Sequence, residues 1–288
     1  QFRGYQVDSL ETELIHYEPG RIVLRESPFY AESGGQIGDR GEIGNDQFRF
    51  IVETTKYVGE HIVHFGELCE GSAPAAGALV TATIDVARRR ATERNHTVTH
   101  LVHRALRTVL GEHVQQAGSL VAPDYMRFDF THFEKMSAEQ IRAVEESVNR
   151  EILNNHPVQW RVMPIEEAKA LGAMALFGEK YGDQVRMVEV KDFSRELCGG
   201  THVRATGEIG LFVLRGESAI AAGVRRLECL TGESARAWLH GRADIALQSA
   251  ALLGCRDEEV IERLERLQQE RKALEGEVRK LRQSGSRD

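Results

Sequence analysis

At 288 residues the chain is long enough for more than one domain and a sizeable core, and its composition is that of an ordinary globular protein. No apolar run reaches membrane-span length and the N-terminus lacks a signal-peptide pattern, so a cytoplasmic protein with no membrane partner is expected. The net charge of −7 argues against bulk attraction to nucleic acid, but residues 1–87 hold 14 acidic and 6 basic side chains while residues 88–240 hold 20 and 21, so a local basic patch would have to carry any such contact.

Residues 1–85 read as a small β-barrel domain. Short apolar stretches at 21–24, 48–52 and 61–65 are separated by Gly, Pro, Asn and Asp at turn-like intervals, and closure spares so few strands their exposed edges. Between the first two lies Phe29-Tyr30-Ala31-Glu32-Ser33-Gly34-Gly35-Gln36-Ile37-Gly38-Asp39-Arg40-Gly41. No Gly-Lys-Ser/Thr follows and no helix opens after it, so it is not a Walker loop. A glycine-bearing barrel turn is the simpler reading, and close approach of backbone to a ligand the functional one. A connector at 71–77 leads into a last strand at 78–84. His61, His64 and Cys69 read as strand and turn side chains rather than a second metal site, and Cys69, Cys198, Cys229 and Cys255 form no disulfide-like framework.

Residues 86–240 read as an α/β two-layer sandwich, giving an α+β chain. Asp85 can cap a helix over 86–110 that Gly111 ends. Six arginines on it, Arg88, Arg89, Arg90, Arg94, Arg104 and Arg107, and the later pair Arg225 and Arg226 read first as a solvated face and second as phosphate contacts. Strands follow near 117–121, 126–130, 158–163, 185–190 and 210–217, with a helix from Ser137, capped in a Ser-x-x-Gln box, and another near 165–171. Residues 241–288 read as a helical coiled-coil arm, with an amphipathic packing helix as the alternative: Val260, Leu264, Leu267, Leu274, Val278 and Leu281 keep a 4-3 rhythm, broken at Arg271, and the last five residues have nothing to fold around.

Two short stretches carry the chemistry, Asn95-His96-Thr97-Val98-Thr99-His100 and Leu197-Cys198-Gly199-Gly200-Thr201-His202. His96 and His100, at i and i+4, share one helix face. His-x3-His recurs by chance on many helices, but a Cys-x3-His pair spaced by two glycines can fold a thiolate and a third imidazole to the same point, and zinc suits that mixed set. His103 lies about 10.5 Å along the axis from His96, too far for one ion to hold both, while the pair His100 and His103 stays open on spacing alone. Four protein ligands usually make a closed, structural site, whereas catalytic zinc keeps a position free.

These stretches, with Gln116-Ala117-Gly118-Ser119, the run at 172–182, Glu196 to Val203 and Ala222-Gly223-Val224-Arg225-Arg226, resemble the editing region of bacterial alanyl-tRNA synthetases, and the glycine stretch at 29–41 is similar to the same enzymes' barrel motif. The resemblance spans residues 1–240 and extends to the arm. No stretch resembles the class II aminoacylation core, and the chain begins with Gln1, so a fragment unable to charge tRNA is expected. The resemblance implies hydrolytic removal of serine or glycine from mischarged tRNA-Ala by the domain at 86–240, with Zn2+ held by His96, His100, Cys198 and His202 and with Thr99, Gln116 and Ser119 lining the pocket. Thr97 stands where a His-Glu-x-x-His protease keeps its general base, so zinc, water and the tRNA's own terminal hydroxyl must do the work. A tRNA-binding module with a structural zinc and a free-standing trans-editing deacylase are the competing readings. Self-association through the arm is also expected.

Overall fold

The computed structural model describes residues 1–175 and 181–284, so residues 176–180 of the run at 172–182, and the tail at 285–288, lie outside the described residues. The chain falls into two compact units, Gln1–Ala235 and Arg236–Asp288.

In the first unit, β1 (Ser9–Glu18), β2 (Arg21–Leu24), β3 (Gly41–Asn45), β4 (Phe48–Val58), β5 (His61–Gly71) and β6 (Leu79–Ile84) close a barrel in the order β1-β2-β5-β4-β3-β6. Every neighbouring pair is antiparallel. Alternation does the sorting: along β4, Phe48, Phe50 and Val52 turn inward while Arg49 and Glu53 face water. The barrel core gathers Leu14, Ile22, Phe29, Ile43, Phe50, Val80 and Ala82. The sequence reading finds β2, β4, β5 and β6 and passes over β1 and β3. The first mixes Glu11 and Glu13 with a buried Thr12, and the second carries two glycines in five residues, so neither shows a clean apolar alternation.

The chain continues through α1 (Val86–Leu110), β7 (Gln116–Val121), β8 (Met126–Thr131), α2 (Ala138–Leu153), β9 (Val158–Pro164), α3 (Ile165–Ala170), β10 (Gln184–Val190), β11 (Ser194–Leu197), β12 (Phe212–Ala221) and β13 (Val224–Thr231). The strands form a four-stranded sheet ordered β12-β13-β8-β7 and a three-stranded one ordered β11-β10-β9. One core joins Val98, Leu101, Val102 and Leu106 of α1 and Val144, Val148 and Ile152 of α2 to Phe128, Phe130, Phe212 and Leu227 of the larger sheet. The predicted capping box is present, with Ser137 Oγ accepting from the Gln140 N–H at 3.2 Å and Gln140 Oε1 accepting from the Ser137 N–H at 2.8 Å.

α4 (Gly232–Leu253) and α5 (Val260–Ser284) make up the helical arm. Along α5, Leu264, Leu267, Leu274, Val278 and Leu281 are all exposed, and the interrupting Arg271 pairs with Glu275 at 3.5 Å. No helix among the described residues is long and apolar enough to cross a membrane.

Candidate metal centre

The centre is built on α1, whose N-terminus is fixed by the Asp85 carboxylate accepting from the Arg88 N–H at 3.0 Å. One turn of helix sets the His96 and His100 rings nearly parallel with centroids 5.6 Å apart. The chain leaving β11 brings Cys198 and His202 to them. The His202 ring lies 4.5 Å from that of His96 and 5.0 Å from that of His100, and Cys198 Sγ is 3.3 Å from Nε2 of both His96 and His202. The ligand atoms of the four residues lie within 4.8 Å of one another, a span that a single tetrahedral ion can bridge. Gly200 is where it is because a Cβ there would meet the His96 Cε1 at 1.9 Å.

Each imidazole is oriented through Nδ1, which leaves Nε2 for the ion. His96 donates to Gln36 Oε1 at 2.6 Å, His202 to Thr97 Oγ1 at 3.2 Å, and His100 to Glu196. Thr97 is fully used: it also accepts from the Val203 N–H at 3.2 Å and donates to the Glu93 carbonyl at 2.8 Å. The residue that replaces a protease's glutamate thus fixes the tautomer of His202. His103 is not one of the four. It donates from Nδ1 to the other oxygen of Glu196 at 3.0 Å, so the pairing of His100 with His103 left open by spacing is not formed.

Two observations show that the donors suit a cation. His100 Nε2 is buried with no hydrogen-bond partner among the described residues, and a metal would supply one. Burial pushes the Cys198 thiol up, but the facing His96 and His202 hold it well below its ordinary value and favour the thiolate. Burial drives His202 down to about 3 against the pull of Cys198, so its ring is neutral. Burial would also lower His100, yet Glu196 and Cys198 raise it to about 10; its second proton is the one a cation would displace. Burial raises Glu196, and His100 and His103 outweigh that to bring it down to about 2. Three imidazole nitrogens and one thiolate are the donors zinc prefers.

Beside the donors opens a pocket of about 350 Å³. His96, His100 and Cys198 line it together with Thr99, Gln116, Ser119, Tyr30 and Gly199. Thr99 donates to the Asn95 carbonyl at 2.9 Å, and Gln116 Nε2 donates to Ser119 Oγ at 3.2 Å.

The 29–41 stretch is a glycine-bearing turn between barrel strands, as the simpler reading has it, and this turn also reaches the centre. Gly34 and Gly35, with φ of 57° and 81°, form a two-residue turn closed by Ser33 and Gln36, and the Val121 N–H donates to the Gly35 carbonyl at 2.7 Å, which docks the turn on β7. Gln36, wholly buried, can then accept from both His96 and the Thr201 N–H. The reading of the arginines as a solvated face holds for Arg104, which is exposed, and fails for Arg89, Arg90 and Arg226. Arg89 is fully buried on Asp39 and the carbonyls of Gly4 and Pro28, Arg90 pairs with Asp8 at 2.6 Å and Glu93 at 2.7 Å, and Arg226 pairs with Asp129. Sequence reasoning missed Gln36 and Glu196 as supports of the centre; their only signal was membership of the glycine stretch and of the cysteine motif.

Residues 185–228 match the family model described as threonyl and alanyl tRNA synthetase second additional domain, and residues 4–88 match that of tRNA synthetases class II (A). The second match falls on the barrel. Among curated relatives, an alanine–tRNA ligase of Halorhodospira halophila is 50% identical over 266 residues, covering 92% of this chain and 31% of the relative. That of Hydrogenovibrio crunogenus is 46% identical over 293 residues, covering 97% and 34%. That of Haemophilus influenzae is 45% identical over 285 residues, covering 99% and 32%. The chain therefore spans about a third of the length of the curated relatives it matches. With two family models matching its barrel and the stretch that bears Cys198 and His202, and this degree of identity along nearly all of it, the chain belongs to the alanyl-tRNA synthetase family.

Proposed function

We propose that the chain hydrolyses the ester of mischarged tRNA-Ala carrying serine or glycine, with Zn2+ held by His96, His100, Cys198 and His202. The observation that carries the reading is the placement of three of these donors, His96, His100 and Cys198, at the wall of a pocket that also holds Thr99, Gln116 and Ser119, with His202 grouped with them behind that wall. When bound, zinc would polarise the ester carbonyl or lower the pKa of an attacking water. The side chains do the sorting. Thr99 has given its hydrogen to the Asn95 carbonyl, so its oxygen can only accept, and a substrate serine hydroxyl can donate to it where alanine cannot. Ser119 accepts from Gln116 and so keeps its own hydrogen for the aminoacyl group. Removal of glycine rests on the resemblance alone. Among the described residues, no carboxylate lines the pocket, so the proton leaves with water or the tRNA's terminal ribose.

The four-donor count favours a second reading, in which zinc is structural and the domain only holds tRNA. Deacylation of seryl-, glycyl- and alanyl-tRNA with and without a chelator separates the two. Editing requires release of serine with alanine spared, and loss of turnover on chelation; a protein that retains seryl-tRNA without deacylating it would be a binding module. The three-domain division at 1–85, 86–240 and 241–288 is proposed to match barrel, editing site and arm, and the arm is proposed to pair with a second copy through its exposed leucines.

A further inference from the structure

The turn that delivers Cys198 and His202 contains two consecutive glycines, so it loses more conformational freedom on ordering than any other dipeptide would. A ligand turn populated only part of the time weakens metal binding by that fraction. The structure holds it from outside. Arg186 on β10 donates from one Nη1 to the Cys198 carbonyl at 2.9 Å and to the Gly200 carbonyl at 2.7 Å, and its own carbonyl accepts from the Cys198 N–H at 2.9 Å. Tyr5, from the segment ahead of β1, donates its hydroxyl to the carbonyl between them, that of Gly199. Three successive carbonyls are thereby fixed by two side chains 181 positions apart in sequence, and the remaining N–H of Gly200 points to Cys198 Sγ at 3.4 Å. The guanidinium is fixed in turn, lying 4.2 Å from the centre of the Tyr5 ring and 4.8 Å from that of Trp160.

We infer that Arg186 and Tyr5, braced by Trp160, are positioning residues that preorganise the Cys198–Gly200 turn for the cation. The inference rests on the metal reading above. Its logic is that of outer-shell support: Arg186 and Tyr5 restrict the backbone that carries the donors, and Trp160 restricts Arg186. Lysine cannot replace the arginine fully, because a compact ammonium that donated to the two carbonyls would offer no planar face to stack on the rings.

The test is zinc affinity, by competition with a chromophoric chelator, on the full chain and on Arg186→Gln, Arg186→Lys and Tyr5→Phe, alongside the thermal midpoint of each protein freed of metal. Affinity is expected to fall roughly 10- to 100-fold in Arg186→Gln and less in Arg186→Lys and Tyr5→Phe, with the metal-free midpoints staying at the wild-type value. Wild-type affinity in both Arg186→Gln and Tyr5→Phe overturns the clamp, as does a loss matched by an equal fall in metal-free stability, which a merely structural role would give. If Arg186→Gln does not fold, Tyr5→Phe decides alone, since it removes one hydroxyl. Failure of the wild type to take up stoichiometric zinc would overturn the metal reading itself, whereas zinc uptake unchanged by the substitutions overturns only the clamp.

Discussion

His64 shows at the residue scale how a single buried ring sets a pH limit. It is wholly buried in the barrel, with Nδ1 donating to the Ile22 carbonyl at 3.0 Å and Nε2 accepting from Ser27 Oγ at 2.7 Å, so the neutral tautomer is fully satisfied. Burial drives its pKa down to about 4 from an ordinary 6.5. The unfolded chain therefore binds this proton first as pH falls, and stability present above 6.5 is lost between 6.5 and 4, by about 3 kcal/mol in all. Urea unfolding at a series of pH values, in chelator so that metal release does not contribute, should give a shallower acid loss for His64→Gln than for the wild type. Equal slopes would show that His64 titrates normally. The sequence places His64 correctly as a strand residue, but nothing in a local pattern names Ser27, 37 positions away, as its partner. Glu196 and Gln36 were hidden for the same reason, since support for a donor is a contact across the fold and leaves no periodicity.

Among the elements, α1 joins the barrel to the sheets. Its first turns send Arg89 into Asp39, the middle carries His96 and His100, and the later turns supply Leu101, Val102 and Leu106 to the core. Arg89 is fully buried, and Asp39, nearly so, also accepts from the Tyr30 N–H at 2.7 Å, so each charge is matched. Removing one partner strands the other: Arg89→Met should cost about 3–5 kcal/mol in urea unfolding, and Arg89→Met with Asp39→Asn should recover much of it. A loss below about 1 kcal/mol in the single variant would mean the pair is solvated in solution. The helix itself was legible from its cap, its period and its terminal glycine. What lay beyond reach was the fate of its arginines, because a charged run reads the same whether it meets water or a carboxylate from another strand. β3 was invisible for a related reason, its Gly41 and Gly44 being shaped by close passage of neighbouring backbone rather than by any apolar pattern.

For the whole molecule the open question is what the arm meets. All four metal donors and the pocket lie in Gln1–Ala235, so the site does not draw on residues 236–288. The 4-3 rhythm of α5 leaves Leu274, Val278 and Leu281 at 60%, 48% and 70% exposure, a seam that a second α5 would cover. Arg271 sits at the middle of that seam, where two copies would bring like charges together, and its pairing with Glu275 only partly relieves this. Sedimentation of the full chain should therefore show weak, concentration-dependent dimers. Arg271→Leu should tighten them, Leu274→Lys should abolish them, and zinc content should follow neither change. A chain that stays monomeric at every concentration, with Arg271→Leu no different, would mean that the seam is not a self-association surface.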